Sequence, residues 1–328
     1  MAAIYTTVPE GLVPLLETHL PNSLPVLRRL QFTRFKGGMR PTARVIFASD
    51  APLSPDAASG SPPPRHFTVA YLDFGSGKET QMFMYSTLED EDGGGGGAAI
   101  PSAGGKDEQE GKEGRETAEL QIMAALEAAR QVSKEQSDDI GRRYYPEACL
   151  VGTLATATRA AMVRRGATVR PRADYEYEKW LFRVEEVPDG VEGAALPEGA
   201  TWGPATERDC EVVIARTEIP RQVKTLMTFP SLVLRLADGT PIAWSFLGTD
   251  GSLSSLHCEP PYRRRGCAKT LAARLFKTGT GAYGPDGWAS ADVAPDNVGS
   301  RAMCKSLNGR HAWNCSWNII QLEERTEG

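Results

Sequence analysis

Apolar positions along this chain fall into two periods, separated by long polar stretches. Leu120, Met123, Leu126 and Val132 recur near helical spacing, so ETAELQIMAALEAARQVS predicts a helix over 116–133. CLVGTLATATRAAMVRRG predicts a second helix over 149–166, with Gly166 as its stop. PEGLVPLLETHL (9–20) reads as a short helix. VLRRLQFTRF (26–35), TARVIFAS (42–49) and HFTVAYLDF (66–74) are β-branched and aromatic runs between turn residues, which predicts strands, and TQMFMYST (80–87) suggests another. DYEYEKWLFRV (174–184) reads as extended. The first half is therefore an open sheet with helices.

The second half is patterned differently. Thr206, followed by Glu207 and Asp209, predicts a capped helix over 205–218. Pro220 opens a further helix to about Phe229, because proline is tolerated at a first helical position. Residues 231–260 then read as three strands joined at Asp238-Gly239 and Asp250-Gly251, each pair lying between apolar runs. Past Gly266, the residues Ala268, Leu271, Ala272, Leu275 and Phe276 form a helical stripe.

Composition adds limits. With 41% hydrophobic and 24% charged residues the chain is ordinary globular material, and its 328 residues allow two domains. The 37 Lys and Arg against 42 Asp and Glu leave a net charge of −5, which argues against a polyanion-coating protein. Two segments without hydrophobic periodicity predict disordered insertions: 50–65, rich in Pro, Ser and Ala, and 88–116, rich in Gly and acids. Residues 89–116 hold nine acids and three bases, so the acidic average resides there and the remaining chain carries +1. EEVPDGVEGAALPEGA (185–200) reads as a linker and places a domain boundary near 190. No run approaches the ~18 apolar residues of a membrane span. The N-terminus has no basic segment ahead of its apolar residues, so no secretory signal is expected. The six cysteines form no CxxC pair and the four histidines show no ligand spacing. That predicts reduced thiols, a cytoplasmic or nuclear location and no metal.

The chemistry concentrates in EPPYRRRGCAKTLAARLFKTG, residues 259–279. A strand ends at Cys258, and Arg263, Arg264, Arg265 and Gly266 then open a helix. Free N–H groups at a helix start bind anions, and a glycine there lets a phosphate approach the backbone. Cationic side chains at that end oppose the helix dipole by a few tenths of a kcal/mol unless an anion is bound. A phosphate or pyrophosphate explains three consecutive arginines; a solvated turn or a nucleic-acid contact are the alternatives, the latter poorly supported by one neighbouring aromatic, Tyr262.

The segment Arg263-x-x-Gly266-x-Ala268, between a strand and a helix, resembles the acyl-CoA pyrophosphate motif of the GNAT N-acyltransferase superfamily. DGTPIAWSFLGTDGSLSSLHCEPPYRRRG resembles the three antiparallel strands before that loop, and GWASADVAPDNVGSRAMCKSL (287–307) the strand and helix after it. Asn297-x-x-Ser300 is similar to the second CoA-side motif, and RHAWNCSWNIIQL (310–322) to the closing strands. More narrowly the chain resembles the glycine N-acyltransferase-like branch, through Phe229-Pro230-Ser231, the GTPIAW turn and Trp313 and Trp317. The resemblance implies an α/β (α+β) fold with a central mixed, mostly antiparallel sheet flanked by helices. It implies a catalytic domain over 197–325, preceded by a degenerate GNAT-like domain over 1–190.

It also implies a function: acyl transfer, an acetyl group foremost, from acetyl-CoA or another acyl-CoA to an amine of a small molecule or amino acid. No nucleic-acid or membrane partner is implied. In that frame Leu256, His257 and Cys258 pair with pantetheine, and Arg264, Arg265, Gly266, Cys267 and Ala268 give N–H groups to the pyrophosphate, with Arg263 opening the loop. Lys269 and Lys277 reach the outer phosphates or are solvated. The branch places a glutamate where this chain has Pro261, which leaves Glu259, His257 and Asp292 as candidate bases. Cys304 stands where many relatives have a proton-donating tyrosine. Arg216 and Arg221 border the acceptor site or are surface arginines. Trp202 and Trp244 are core or pocket walls. The two missing residues motivate the alternative of a non-catalytic CoA-binding or interaction module of the same fold.

Overall fold

Strands with both faces buried and helices laid on each face account for the first half of the molecule. The computed structural model describes residues 2–53, 62–91, 105–136, 144–189, 196–217 and 219–322. The chain divides into two compact units, one of residues 1–33, 39–176 and 312–328, the other of 34–38 and 177–311. In the first, β1 (Ala2–Tyr5), α1 (Leu12–Glu17) and α2 (Leu24–Phe32) precede β2 (Arg44–Ser49), β3 (Phe67–Leu72) and β4 (Met82–Ser86). Then come α3 (Leu88–Glu91), α4 (Gly105–Glu135), β5 (Ala148–Ala155), α5 (Thr156–Arg164) and β6 (Val169–Pro171). β1 to β4 form an antiparallel meander, and β4 meets β5 in parallel at Met82 and Val151.

Period-two alternation sorts the strand residues between two cores. Val45, Phe47, Val69, Tyr71, Phe83 and Tyr85 face a core completed by Leu12, Leu16, Val26, Leu27 and Leu30 of α1 and α2. Ile46, Ala48, Ala70, Leu72, Met82 and Met84 belong to the other core, with Ile122, Leu126 and Val132 of α4.

Three sequence expectations change here. Residues 24–32 are helical, not extended: Val26, Leu27 and Leu30 meet the core at helical spacing, and Pro25 lies in the first turn. Residues 148–155 are a strand, because CLVGTLA is an apolar run buried on both faces rather than a helix with a wet side; the helix begins only at Thr156. Residues 105–116, expected to be disordered, are the first turns of α4. Glu, Lys and Arg are good helix formers, and extending an existing helix avoids the cost of nucleation. The remaining disorder expectations at 54–61 and 92–104 lie outside the described residues.

The second unit holds β7 (Tyr177–Arg183), β8 (Thr201–Gly203), α6 (Glu207–Arg216), α7 (Val223–Leu226), β9 (Ser231–Arg235), β10 (Pro241–Leu247) and β11 (Ser252–Cys258). α8 (Cys267–Gly279), β12 (Trp288–Val293) and α9 (Val298–Ser306) follow, and β13 (Arg310–Gln321) closes the chain. The sheet of this unit runs β7, β12, β11, β10, β9, β8, antiparallel except where β12 meets β11. The amphipathic helix α8 seats Cys267 and Leu271 against Leu234, Ile242, Ala243 and Cys258. Thr206 caps α6 in a full capping box with Asp209. The helix expected from Pro220 to Phe229 is the single turn α7, since Gln222 is still extended.

Two boundaries differ from those read from sequence. The units part between Glu176 and Tyr177, ahead of the 185–200 linker, because β7 pairs throughout with β12. From Ala312 the chain is counted with the first unit, where β13 pairs with β5 and β6. The closing segment is one twelve-residue strand rather than several.

Candidate functional site

β11 and β12 run in parallel for only two residue pairs, Ser252 with Ser290 and Leu253 with Ala291. Beyond them, among the described residues, β11 keeps a ladder with β10 alone. One backbone edge of Ser254–Cys258 is thereby released at the carboxyl ends of parallel strands. The other edge is irregular: between the pairs Trp244–His257 and Phe246–Ser254, two residues of β11, Ser255 and Leu256, stand against the one residue Ser245 of β10. Ser255 takes φ 53° in this bulge.

The chain then turns through Pro260–Tyr262 into α8. The Arg263 guanidinium donates to the Cys258 carbonyl at 2.9 Å and ties the turn to the strand end. Arg264 and Gly266 both adopt left-handed backbone, at φ 62° and 81°. Glycine meets this demand without steric cost. Gly266 is the cap residue of α8, and no side chain caps the helix there. The first N–H groups of a helix lack intrahelical acceptors, so those of Cys267, Ala268 and Lys269 face outward beside the exposed Arg263, Arg264 and Arg265. Negative charge is favoured at this point by both the helix dipole and the arginines.

A second group of side chains gathers at the end of β11. His257 stacks on Trp244, rings 4.5 Å apart and 15° from parallel. Its Nε2 lies 3.7 Å from Glu259 Oε2. Arg216, at the end of α6, donates from Nε to Glu259 Oε1 at 3.0 Å. Arg221 donates to the Ser254 hydroxyl at 3.4 Å. Burial holds the His257 pKa below the ordinary imidazole value; Glu259 acts against this, and Arg263 and Arg216 add to it. A neutral imidazole beside an oriented carboxylate can accept a proton.

The other expected residues are placed as follows. Asp292 forms an ion pair with Lys179 at 2.7 Å, both side chains almost wholly buried across β12 and β7. Cys304 has no exposed surface, and burial, with Glu178 nearby, pushes its thiol up to about 12. Such a thiol holds its proton too tightly to hand it to a thiolate whose ordinary pKa is near 8.5. Asn297 Oδ1 accepts from the Ser300 N–H and caps α9, so that pair of motif residues starts a helix. Lys277 pairs with Asp189. Cys258 and Cys267 are both buried, and burial followed by the neighbouring Cys267 raises the Cys258 thiol to about 11. The described residues contain no group of three metal-ligating side chains and no helix long and apolar enough to cross a membrane.

Sequence reading did not single out Ser254 and Ser255. Their signal is the Ser-Ser step in SLSSLHC, which breaks the polar–apolar alternation of the strand. It also left Arg216 unassigned between pocket and surface; the contact to Glu259 spans 43 residues and is invisible to periodicity.

Comparison with known proteins bears on the family and the fold. Residues 2–180, more than half of the chain, match the family described as the acyl-CoA N-acyltransferase verG N-terminal domain. Among solved structures, a protein from Drosophila malonogaster is similar over 97% of this chain and 98% of its own, at 15% identity and a TM-score of 0.56. A tandem GNAT protein from the clavulanic acid biosynthesis pathway, solved without acetyl-CoA, is similar over 99% of each chain, at 11% identity and a TM-score of 0.51. At these identities the likeness is one of fold, a tandem GNAT arrangement of mixed sheet and flanking helices. No curated protein matched the chain.

Proposed function

Because the chain belongs to the family of the acyl-CoA N-acyltransferase verG N-terminal domain, within the GNAT superfamily, we propose that its second unit transfers an acyl group, acetyl foremost, from acyl-CoA to the amine of a small molecule or amino acid. The observation that carries this reading is the parting of β11 from β12 immediately before an arginine-flanked, glycine-capped helix start. A thioester on a long pantetheine arm ending in pyrophosphate needs those two features in that order. The released edge at Leu256, His257 and Cys258 offers backbone partners to the amides of the arm. The N–H groups at 264–269, with the side chains of Arg263, Arg264, Arg265 and Lys269, offer donors to the pyrophosphate. Asn297 and Ser300, at the start of α9, belong to the CoA side by resemblance alone.

Transfer needs a neutral amine against the thioester carbonyl, and positioning alone supplies ~7–11 kcal/mol of the barrier. In this reading His257 takes a proton from the acceptor ammonium, and Glu259 is the positioning residue that orients the ring and stabilises the imidazolium. The amine nitrogen bonds the carbonyl carbon, the C–S bond breaks, and the leaving thiolate takes up the second amine proton. Arg216 fixes the Glu259 carboxylate in place by its hydrogen bond. Cys304 is assigned to the core and Asp292 to its buried pair with Lys179.

Isothermal titration with acetyl-CoA and longer acyl-CoAs, followed by thiol release on adding an amine panel, tests the reading. Saturable binding and amine-dependent thiol release are expected. Absence of acyl-CoA binding would overturn it, and binding without thiol release would identify a non-catalytic CoA-binding module.

A further inference from the structure

The bulge in β11 holds a hydroxyl with no evident task. Ser255 Oγ is shielded from solvent and has no hydrogen-bond partner among the described residues. Ser255 also occupies left-handed backbone at φ 53°, which costs an L-residue free energy and suits glycine better. A buried hydroxyl without a partner and a backbone conformation unsuited to serine are two separate costs at one residue. Bulges beside active sites commonly serve to re-aim one side chain.

Its position limits what the hydroxyl can meet. The β11–β12 ladder ends at Leu253 and Ala291, so Ser254 and Ser255 are the first residues of β11 past the divergence. Ser254 is accounted for: its hydroxyl accepts from Arg221, and its carbonyl accepts from the Ser245 hydroxyl at 3.1 Å. Two residues beyond Ser255, His257 Nε2 is likewise shielded; among the described residues nothing lies within hydrogen-bond distance of it, and Glu259 Oε2 stands 3.7 Å away. A donor without a partner and a base beside a carboxylate thus stand on one strand, at the point where a thioester would be threaded.

We propose that Ser255 is a catalytic residue that donates its Oγ–H to the thioester carbonyl oxygen as negative charge develops there. The assignment rests on the acyltransfer reading above. When the amine nitrogen bonds the carbonyl carbon, the C=O electron pair moves onto oxygen, where the Ser255 hydroxyl meets it. Collapse returns that pair, breaks the C–S bond and releases the thiolate, which takes the proton that the amine nitrogen gives up. Ser255 keeps its own proton throughout. A donor in place before reaction stabilises the transition state more than the ground state, and so acts on kcat.

The test compares wild type, Ser255→Gly and Ser255→Ala by acetyl-CoA titration, by thiol release with acetyl-CoA and the amine panel, and by thermal melting. Glycine removes the hydroxyl while suiting the bulge backbone, so Ser255→Gly should melt no lower than wild type. The expected result for both variants is a kcat about 100-fold lower, with the acetyl-CoA Kd unchanged within twofold. Wild-type kcat in Ser255→Gly would overturn the proposal, because the hydroxyl would then be idle. A Kd that weakens in proportion to the loss of turnover would also overturn it, since Ser255 would then only hold the bound arm. Wild-type protein that binds acetyl-CoA but releases no thiol with any amine of the panel would instead refute the acyltransfer reading, and the assignment with it.

Discussion

Replacing Gly266 with valine tests the anion site at its most constrained atom. Gly266 sits at φ 81° and ψ −4°, directly before α8, with the outward N–H groups of Cys267 and Ala268 next in the chain. An L-residue in left-handed backbone costs ~1–2 kcal/mol, and a β-branched one more, because its Cβ crowds the adjoining carbonyl. If the turn relaxes to escape this strain, the N–H groups swing away from the pyrophosphate. If it does not, the valine side chain stands where the phosphates approach. A loss of ~2 kcal/mol in binding corresponds to roughly a 30-fold weaker Kd at 1.4 kcal/mol per decade. Exclusion of the phosphate by the side chain adds to that. Asparagine tolerates left-handed backbone better than valine, so Gly266→Asn separates the two contributions: it should lose less affinity than Gly266→Val. Isothermal titration with acetyl-CoA on variants that retain a cooperative thermal transition is the assay. A folded Gly266→Val protein with wild-type affinity would refute the reasoning, because an anion held by these N–H groups could not be indifferent to their displacement.

Other outcomes follow from the same site and its supports. A base pKa below the ordinary imidazole value of about 6.5 puts the acid limb of kcat/KM below that pH; Glu259→Gln should move it lower still, and Arg263→Gln higher, since the carboxylate raises and the guanidinium lowers the His257 pKa. A pH profile unchanged by both substitutions would remove His257 from the base role. The same depression works on stability: the contribution of neutral His257 is present above the unfolded pKa and is lost as pH falls through the folded one. Lys179→Met leaves Asp292 as a buried carboxylate without its 2.7 Å partner, and should cost ~3–5 kcal/mol. The double variant Lys179→Met with Asp292→Leu should recover much of that loss in chemical denaturation, and failure to recover it would mean the pair does more than neutralise itself.

Much of the second unit was legible because its signals are local. Asp238-Gly239 and Asp250-Gly251 separate β9, β10 and β11 through turn chemistry that belongs to the dipeptides themselves. Thr206 and Asp209 cap α6 within four residues of one another. The stripe from Ala268 to Phe276 needs only helical period to be seen, and α8 follows it. The arginine run and Gly266 were likewise readable as a basic, glycine-capped helix start, because backbone N–H groups and charge are set by position along the chain.

Short apolar runs were another matter. Residues 24–32 and 148–155 contain enough apolar residues to serve either a helix or a fully buried strand, and the neighbours decide which. α2 became a helix because the β2–β4 face offers it a core to cover. The residues of β5 became a strand because β4 and β13 supply hydrogen-bond partners on both sides. Acidic residues 105–116 could not reveal by composition that a helix packed further along would carry them.

Sequence alone determined the order of turns, caps and amphipathic stripes, and with them the superfamily and the position of the arginine-rich turn before α8. Each of these is a property of residues within one or two helical turns of each other. Tertiary structure alone decided where β11 leaves β12, that Ser255 is bent into left-handed backbone, that Trp244 lies flat on His257, and that Arg216 reaches Glu259. Those are matters of pairing between segments distant in the chain, set by register and packing across the sheet. A sequence pattern records which residues are available for such pairing, but not which partners meet.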